Sequence, residues 1–322
     1  MTRIDTDTGI VAQPGSPLRA MTVDVEEYYH ASALASVFPR QTWGALESRV
    51  ERTTLEILAV FAKRNVKATF FTLGSVARSQ PRLIREIASA GHELASHGNE
   101  HFRVSDQSPS QFRADVTAAK SSIEDAYSKP VLGYRAASFS INRATWWAYE
   151  ILAEAGYRYS SSVYPIHHDH YGLVGGPASP FRPLPDDFVE IPVTTAQFGN
   201  FRVPAGGGGY FRLMPYRSFA WLHRRANGSP PRRANFYFHP WEIDPAQPRG
   251  NASARSRFRH YVNLSRMKSK VEMLATEFSW GTMQQVYADC LHPAANLPRW
   301  APAVVDQVRH HDSQLASSET AD

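Results

Sequence analysis

The chain has 322 residues, of which 43% are hydrophobic and 12% aromatic, enough to build the core of one large domain or two small ones. Its net charge of +5 is modest and scattered along the sequence, and no known nucleic-acid-binding motif accompanies it, so we expect no nucleic-acid partner. The single cysteine, Cys290, excludes an internal disulfide.

The two ends of the chain differ in composition from its middle. Residues 1–18 are polar and lack the basic start and apolar core of a secretory signal. We predict a flexible lead-in over 1–18, a folded domain over 19–298 and a polar tail over 299–322. No run of about 18 apolar residues occurs, so the sequence predicts no membrane span and a cytoplasmic protein. The oligomeric state stays open.

In chain order, short apolar segments alternate with amphipathic ones, which favours a parallel sheet or barrel. The predicted strands are 19–25, 67–73, 92–96, 131–134, 157–160, 188–193 and 234–238, and the predicted helices are 49–64, 81–90, 109–127, 144–155, 215–226 and 265–278. Between residues 165 and 214 the pattern loosens, and we expect long loops around one short strand, lining a substrate cleft.

Polar side chains follow the ends of several predicted strands, where barrel-like α/β enzymes place their chemistry. Asp24 and Glu26 stand two apart at the end of the first strand, so both side chains are expected on one face. One acid of such a pair can bind a metal while the other moves protons. The alternative is two surface acids at a strand-to-loop junction.

A pair of histidines, His97 and His101, follows the third predicted strand. We expect this spacing to bring both imidazoles to one side of a helical turn, within reach of one ion. Two histidines with one carboxylate are a familiar ligand set for Zn²⁺. A competing metal cluster, His167, His168 and His170, lies in the loop region, although adjacent histidines point in divergent directions.

Arg135 and His239 also lie at predicted strand ends. A guanidinium near a carboxylate lowers its pKa and fixes its orientation, whereas the alternative for Arg135 is a surface salt bridge. A histidine is the natural proton donor to a leaving amine near neutral pH, whereas the alternative for His239 is a buried structural role.

Together, and in this order, these fragments resemble the polysaccharide deacetylase family, carbohydrate esterase family 4, also called the NodB-homology group. The resemblance covers residues 20 to 280 approximately. Segments 236–245 and 256–261 resemble more specifically the branch associated with exosortase/PEP-CTERM exopolysaccharide loci. The family implies an α/β fold, a distorted (β/α) barrel of about seven strands, so that residues 19–298 would form its catalytic domain.

The resemblance also implies roles for the catalytic side chains. Asp24 resembles the catalytic base, Arg135 the arginine that orients it, and His239 the general acid. The backbone N–H near Ser138 would help to hold the oxyanion.

The resemblance further implies a metal ion and a sugar-binding wall. Glu26, His97 and His101 resemble the metal ligands, although many members have two adjacent aspartates where this chain has Asp24 and Glu26. The expected metal is Zn²⁺, with Co²⁺, Mn²⁺ or Fe²⁺ as alternatives. Three aromatic side chains are candidate walls for a sugar ring, with core packing as the alternative: Tyr210, Phe211 and Trp241.

Two further positions depart from the family pattern. Ala137 stands where a proline is usual, which could loosen the oxyanion turn. Ser160 stands where the family commonly has an aspartate that pairs with the acid histidine, so His239 would be less basic and less firmly oriented. Asp169 and Glu242 are the candidates to replace that carboxylate.

The implied activity is metal-dependent hydrolysis of an N-acetyl group on a saccharide or exopolysaccharide precursor, with release of acetate. Two alternatives stay open at this stage. The same fold could hydrolyse a small cyclic amide or imide, if the region 165–214 forms a small pocket. Alternatively, the protein could bind saccharide without turnover, a reading motivated by Ser160 and Ala137.

Overall fold

Eight strands form one curled parallel sheet in the part of the chain that the computed structural model describes, residues 19–167, 172–226 and 233–302. In chain order the strands are β1 (Arg19–Val25), β2 (Thr69–Thr72), β3 (Glu93–Ser96), β4 (Gly133–Tyr134), β5 (Tyr159–Ser160), β6 (Val189–Glu190), β7 (Thr195–Phe198), β8 (Phe201–Pro204), β9 (Ala234–Phe238) and β10 (Trp280–Gly281). Strands β7 and β8 form a separate antiparallel hairpin.

The sheet runs in the order β10-β1-β2-β3-β4-β5-β6, and β9 pairs with β1 as well. The side chain of Asn235 on β9 reaches the segment that follows β6, donating to the carbonyl of Pro192 at 2.9 Å and accepting from the N–H of Thr194 at 3.2 Å. These bonds link β9, which pairs with β1, to the segment after β6 at the far end of the strand order. The expected distorted (β/α) barrel is confirmed.

Helices cover the outside of the sheet. They are α1 (Val50–Arg64), α2 (Gly74–Ser79), α3 (Pro81–Ser89), α4 (Pro109–Tyr127), α5 (Ala148–Glu154), α6 (Gly208–Leu213), α7 (Tyr216–Arg224), α8 (Ala254–Tyr261), α9 (Leu264–Glu277) and α10 (Met283–Val286). In α1, Ile57, Val60 and Phe61 lie on one buried face, as a 3.6-residue period requires. Within the described residues, no helix is both long and apolar enough to cross a bilayer.

Strand β1 lies inside the sheet and pairs with three strands, β2, β9 and β10. Its apolar residues are fully buried because helices cover the sheet. Asp24, near its carboxyl end, is 1% exposed, and Glu26, immediately after it, is 3% exposed. The two acids are therefore not surface residues, and the alternative interpretation of this pair is wrong.

The region from 165 to 214 has more structure than predicted. It contains β6, the hairpin of β7 and β8, and α6, in place of loops around one short strand. Helix α8 was also not predicted, because its sequence, Ala254–Tyr261, has no apolar stripe. Trp300 packs against Trp146 and Phe181, so ordered packing continues beyond residue 298, where the polar tail was expected to begin.

Candidate active site

The carboxyl ends of β1, β3, β4 and β9 open into one cavity of about 620 Å³. Five of the six side chains proposed from the sequence as catalytic or metal-binding border it: Asp24, Glu26, His97, His101 and His239. They come from segments more than 200 residues apart, and parallel pairing brings them together because all these strands end at the same edge of the sheet.

Three of these side chains form a group that could hold a metal ion. The carboxylate of Glu26 and the ring nitrogens of His97 and His101 offer ligand atoms that all lie within 4.8 Å of one another. The Oε2 atom of Glu26 lies 2.6 Å from Nε2 of His101 and 3.6 Å from Nε2 of His97. All three side chains are buried, and one carboxylate with two imidazoles suits Zn²⁺, so the residues present fit a divalent metal.

The hydrogen bond of His97 fixes the ring nitrogen that faces the metal site. Its Nδ1 lies 2.8 Å from the carbonyl oxygen of Arg135. A carbonyl only accepts, so Nδ1 carries the proton and Nε2 keeps its lone pair for a ligand. Residues 97–101 form a loop and not the expected helical turn, with left-handed backbone at Gly98 (φ 81°) and His101 (φ 57°).

Asp24 is held by a fully buried arginine. The Nη1 atom of Arg135 donates to Asp24 Oδ1 at 2.6 Å and to Thr22 Oγ1 at 2.8 Å. Its Nε and Nη2 bond to Ser161, and the ring centroid of Phe71 lies 4.0 Å from the guanidinium. The surface salt bridge that was the alternative for Arg135 is excluded, and the second carboxylate oxygen of Asp24 faces the cavity.

His239 has a carboxylate partner, although Ser160 does not supply it. Ser160 Oγ lies 2.7 Å from Ser162 Oγ, inside the sheet. The partner is Glu242, whose Oε1 lies 2.9 Å from Nδ1 of His239, one turn along the short helix Pro240–Ile243. The Nε2 atom of His239 lies 3.9 Å from Asp24 Oδ2 and therefore points into the site.

Glu242 is itself fixed on several sides. Arg212 on α6 donates to its Oε2 at 2.7 Å, and the N–H of His239 donates to its Oε1 at 3.1 Å. Gly208 lies so close that a Cβ there would sit 2.3 Å from Oε1 of Glu242. The glycine at the start of α6 thus has a specific use, since it lets the helix approach this carboxylate. Asp169, the other candidate partner, lies outside the described residues.

The charges of the site act on one another. Burial opposes ionisation of Glu26, but His101 and His239 hold its pKa well below the ordinary value. Burial lowers the pKa of His101, against the influence of Glu26. Burial would also lower the pKa of His239, but the carboxylates of Glu26, Glu242 and Asp24 raise it to about 9. In the metal-free site these carboxylates therefore favour the protonated form of His239, the form that a proton donor needs.

The aromatic residues expected to form a sugar-binding wall are not equivalent. Trp241 is stacked between His239 (ring centroids 5.0 Å apart) and His260 (4.4 Å apart), and its Nε1 donates to Glu26 at 3.1 Å. Trp241 is largely buried but borders the cavity, so its contact with a sugar stays a prediction, and its ring also packs against His239. Phe211 is fully buried in the core, and Tyr210 borders the cavity.

The turn expected to hold an oxyanion is formed without a proline. Ser138 borders the cavity and has left-handed backbone (φ 53°), and its Oγ lies 3.1 Å from Ser32 Oγ. The turn around Ala137 is fixed by side chains: Ser162 Oγ accepts the N–H of Ala136, and Ser140 Oγ donates to the carbonyl of Ala137.

Two contributors to the site were not assigned from the sequence. His30 borders the cavity and stacks on His101, with ring centroids 5.0 Å apart and planes 13° apart. Arg40 bonds to the carbonyls of Glu100 and His101. His30 stands four residues after Glu26, which was a weak signal for its place in the site. Nothing in the sequence indicated Arg40. Of the competing histidine cluster, His167 borders the cavity, while His168 and His170 lie outside the described residues.

Two family models match successive parts of this chain. The model described as polysaccharide deacetylase matches residues 43–160, and one described as a domain of unknown function (DUF3473) matches residues 161–288. The site crosses this division, because His97, His101 and Arg135 lie in the first match and His239 in the second. Asp24 and Glu26 precede both.

Curated relatives and solved structures agree with the first match. A chitooligosaccharide deacetylase of Bradyrhizobium sp. (strain ANU 289) is 31% identical over 100 residues, 31% of this chain and 43% of the relative. A peptidoglycan-N-acetylglucosamine deacetylase of Bacillus cereus is 28% identical over 155 residues, 48% of this chain and 67% of the relative. This chain thus spans less than half of the first relative.

A crystal structure named as a polysaccharide deacetylase from Mycobacterium smegmatis superposes with a TM-score of 0.56 at 20% sequence identity. The superposition covers 91% of this chain and 96% of that one. At this level of identity the likeness concerns the fold.

Proposed function

Because this chain belongs to the polysaccharide deacetylase family, we propose that it hydrolyses the N-acetyl group of a saccharide and releases acetate. One observation carries the proposal: a metal-binding group, a carboxylate held by a buried arginine, and a protonated histidine paired with a glutamate all border one cavity. These are the parts that amide hydrolysis needs, namely an electrophilic centre, a base and an acid.

The three proposed metal ligands are Glu26, His97 and His101. A divalent ion bound there, which we propose to be Zn²⁺ in preference to Co²⁺, Mn²⁺ or Fe²⁺, would polarise the acetyl carbonyl and lower the pKa of a water molecule. The chain's own contribution is to hold the ligand nitrogens deprotonated, since burial lowers the pKa of His101 and the carbonyl of Arg135 fixes the tautomer of His97.

Asp24 acts as the general base in this proposal. It removes a proton from the attacking water while the new carbon–oxygen bond forms. Arg135 occupies one carboxylate oxygen at 2.6 Å, which leaves the other to take the proton. The backbone N–H near Ser138 stabilises the negative charge that develops on the acetyl oxygen.

His239 acts as the general acid. It gives its Nε2 proton to the sugar nitrogen as the carbon–nitrogen bond breaks, and acetate and a free amine are released. Glu242 supplies the carboxylate that this chain lacks at Ser160, because it bonds to Nδ1 and so keeps Nε2 directed towards the substrate. The departure at Ser160 therefore does not argue for a protein without turnover.

The rim of the cavity favours a saccharide over a small cyclic amide. Phe258 is 57% exposed and Leu213 is 48% exposed, and both border the cavity. Exposed apolar side chains next to a polar site suit the apolar face of a sugar ring. We propose further that the natural substrate is an exopolysaccharide precursor, which rests on the resemblance of segments 236–245 and 256–261 to proteins of such loci.

The test is a substrate panel with Zn²⁺-loaded protein, in which acetate and free amine are both quantified. The panel contains N-acetylglucosamine, its tetramer, peptidoglycan fragments and two cyclic imides. We expect equal amounts of acetate and amine from the acetylated saccharides. Hydrolysis of the imides alone would favour the small-amide alternative, and saccharide binding with no product would favour the non-catalytic one.

A further inference from the structure

The loop that carries the two proposed histidine ligands has no helix to hold it. Residues 97–101 are irregular, and His101 adopts left-handed backbone with φ of 57°, a region that non-glycine residues seldom occupy. A residue held in such a conformation persists only where its surroundings fix it. The geometry of His101 must therefore be set by contacts from elsewhere.

The first part of this loop is tied to the sheet and to α2. The N–H of His97 donates to Thr72 at 2.9 Å, and the carbonyls of Gly98 and Asn99 accept from the start of α2 at 2.9 and 3.0 Å. These bonds fix the backbone position of His97. They stop before His101, which lies at the far end of the loop.

The far end of the loop is held by Arg40. Its Nη1 donates to the carbonyl of Glu100 at 2.5 Å and its Nη2 donates to the carbonyl of His101 at 3.0 Å. The guanidinium is itself fixed between two rings, with its central carbon 4.2 Å from the ring centroid of Trp43 and 3.7 Å from that of Phe102. The two terminal nitrogens of one planar guanidinium thus donate to two consecutive backbone carbonyls.

The same segment also supports the ring of His101. His30 stacks on it in nearly parallel planes, and Trp43 lies 4.4 Å from His30, centroid to centroid. Residues 28–45 therefore contact both the backbone and the imidazole of this ligand. Most of this segment precedes the part of the chain that matches the deacetylase model, residues 43–160.

We propose that Arg40 is a positioning residue for the metal centre, which sets the affinity for the metal by holding His101 in its ligating geometry. The inference rests on the proposed metal site. Electrostatics alone predicts the opposite effect, because a cationic side chain near a cation site opposes binding and its removal would strengthen it. Weaker metal binding after removal of Arg40 would therefore indicate a positioning role, whereas tighter binding would indicate that only its charge acts on the site.

The test compares Zn²⁺ affinity among four full-length proteins, measured on metal-stripped protein by competition with a chromophoric chelator. They are the wild type, Arg40→Met, Arg40→Lys and Arg78→Met. Arg78 is the matched control, since it donates to the side chains of Asn99 and Glu100 in the same loop and to no backbone carbonyl of the described loop. Arg40→Met and Arg78→Met each remove one positive charge beside the loop.

We expect Arg40→Met to bind Zn²⁺ about 10- to 100-fold more weakly, the usual loss when a partner that orients a ligand is removed. Arg40→Lys keeps the charge, but an ammonium group cannot bond to both carbonyls as the planar guanidinium does. We therefore expect this variant to bind Zn²⁺ about tenfold more weakly than the wild type. Arg78→Met should stay within about threefold of the wild type, because an exposed ion pair contributes little.

Unchanged or tighter binding in Arg40→Met would overturn the inference while leaving the proposed metal site intact. No Zn²⁺ binding by the wild type would overturn the metal site as well. Thermal unfolding of the metal-free proteins shows whether each variant is folded. If Arg40→Met does not fold, Arg40→Lys decides, because affinity equal to that of the wild type contradicts a positioning role.

Discussion

At the scale of single residues, the pairing of His239 with Glu242 is the contact on which the proposed chemistry depends most. Three carboxylates surround this histidine, and they raise its pKa to about 9 even though burial opposes its charge. Glu242 lies on the far side of the ring from the substrate, so it orients the imidazole without competing for the Nε2 proton. Burial opposes ionisation of Glu242, but the positive charge of Arg212 lowers the pKa of this glutamate and keeps it ionised.

Replacing Glu242 by glutamine tests this pairing. If His239 is the general acid, activity requires its protonated form and is lost as pH rises through the pKa of this histidine. Removing one negative neighbour lowers that pKa, so the alkaline limb of the turnover–pH profile should move to lower pH in Glu242→Gln. We also expect turnover at neutral pH to fall about tenfold, a part of the contribution of a general acid.

The measurement is turnover against pH, at saturating metal and substrate, for the wild type, Glu242→Gln and Glu86→Gln. Glu86 is an exposed residue of α3 and serves as a control for the loss of one negative charge. A bound cation shifts the alkaline limb of the profile in all three proteins. The test therefore rests on the difference in the position of this limb between each variant and the wild type. An alkaline limb that is the same in Glu242→Gln and the wild type would rule out this role.

Several site residues could be predicted because their identity and spacing carry the chemistry. Asp24 and Glu26 sit at a strand end, and His97 with His101 forms a recognisable pair. Glu242 could only be proposed, since its pairing with a histidine three residues earlier depends on how the chain turns at Pro240. Arg40 could not be found at all, because an arginine that bonds to carbonyls leaves no pattern in the sequence.

At the scale of elements, the approach of α6 to the short helix Pro240–Ile243 positions the acid. Arg212 extends from α6 to Glu242, and Gly208 at the start of α6 leaves no room for a Cβ beside that carboxylate. The glycine run thus acts through packing and not through loop flexibility. The expectation of a loop here failed because glycines usually disfavour helices, whereas a tertiary contact decided the outcome.

Gly208→Ala and Gly209→Ala form a matched pair that tests this contact. A Cβ at Gly208 would collide with the Glu242 carboxylate, whereas nothing lies within 4 Å of a Cβ at Gly209. Displacing the partner of His239 by about 1 Å can cost about 100-fold in turnover, and we expect a loss of this order in Gly208→Ala. Gly209→Ala should keep its turnover. Equal turnover in both variants would show that α6 does not position the acid.

Elements with a clear period were predicted well, and those without one were not. Helix α1 and strand β9 were found close to their observed bounds because their apolar residues repeat at the helix and strand periods. Helix α8 and the hairpin of β7 and β8 were missed, because their faces are mostly polar or exposed. The loop at residues 97–101 was predicted as a helical turn, since spacing alone cannot distinguish a helix from a fixed loop.

At the scale of the whole molecule, the barrel explains why distant fragments form one site. Strands β1 and β9 are neighbours in the sheet although more than 200 residues separate them, so Asp24 and His239 face the same cavity. The barrel was implied by the resemblance to a known family, and no rule of periodicity would have supplied it. The link that Asn235 makes between β9 and the segment after β6 was not foreseen.

The most direct test of the central claim is acetate release by metal-stripped wild type, by the same protein reloaded with Zn²⁺, and by Asp24→Asn reloaded in the same way. Metal content is measured in each sample, because Asp24 is proposed as the base and not as a ligand. Thermal unfolding is followed too, since the change leaves Arg135 buried without its counter-charge.

We expect release from the reloaded wild type alone, with Asp24→Asn binding metal normally and losing about 10²- to 10⁴-fold in turnover, as removal of a general base does. Release that persists in Asp24→Asn, or that is the same before and after Zn²⁺ is restored, would contradict the account.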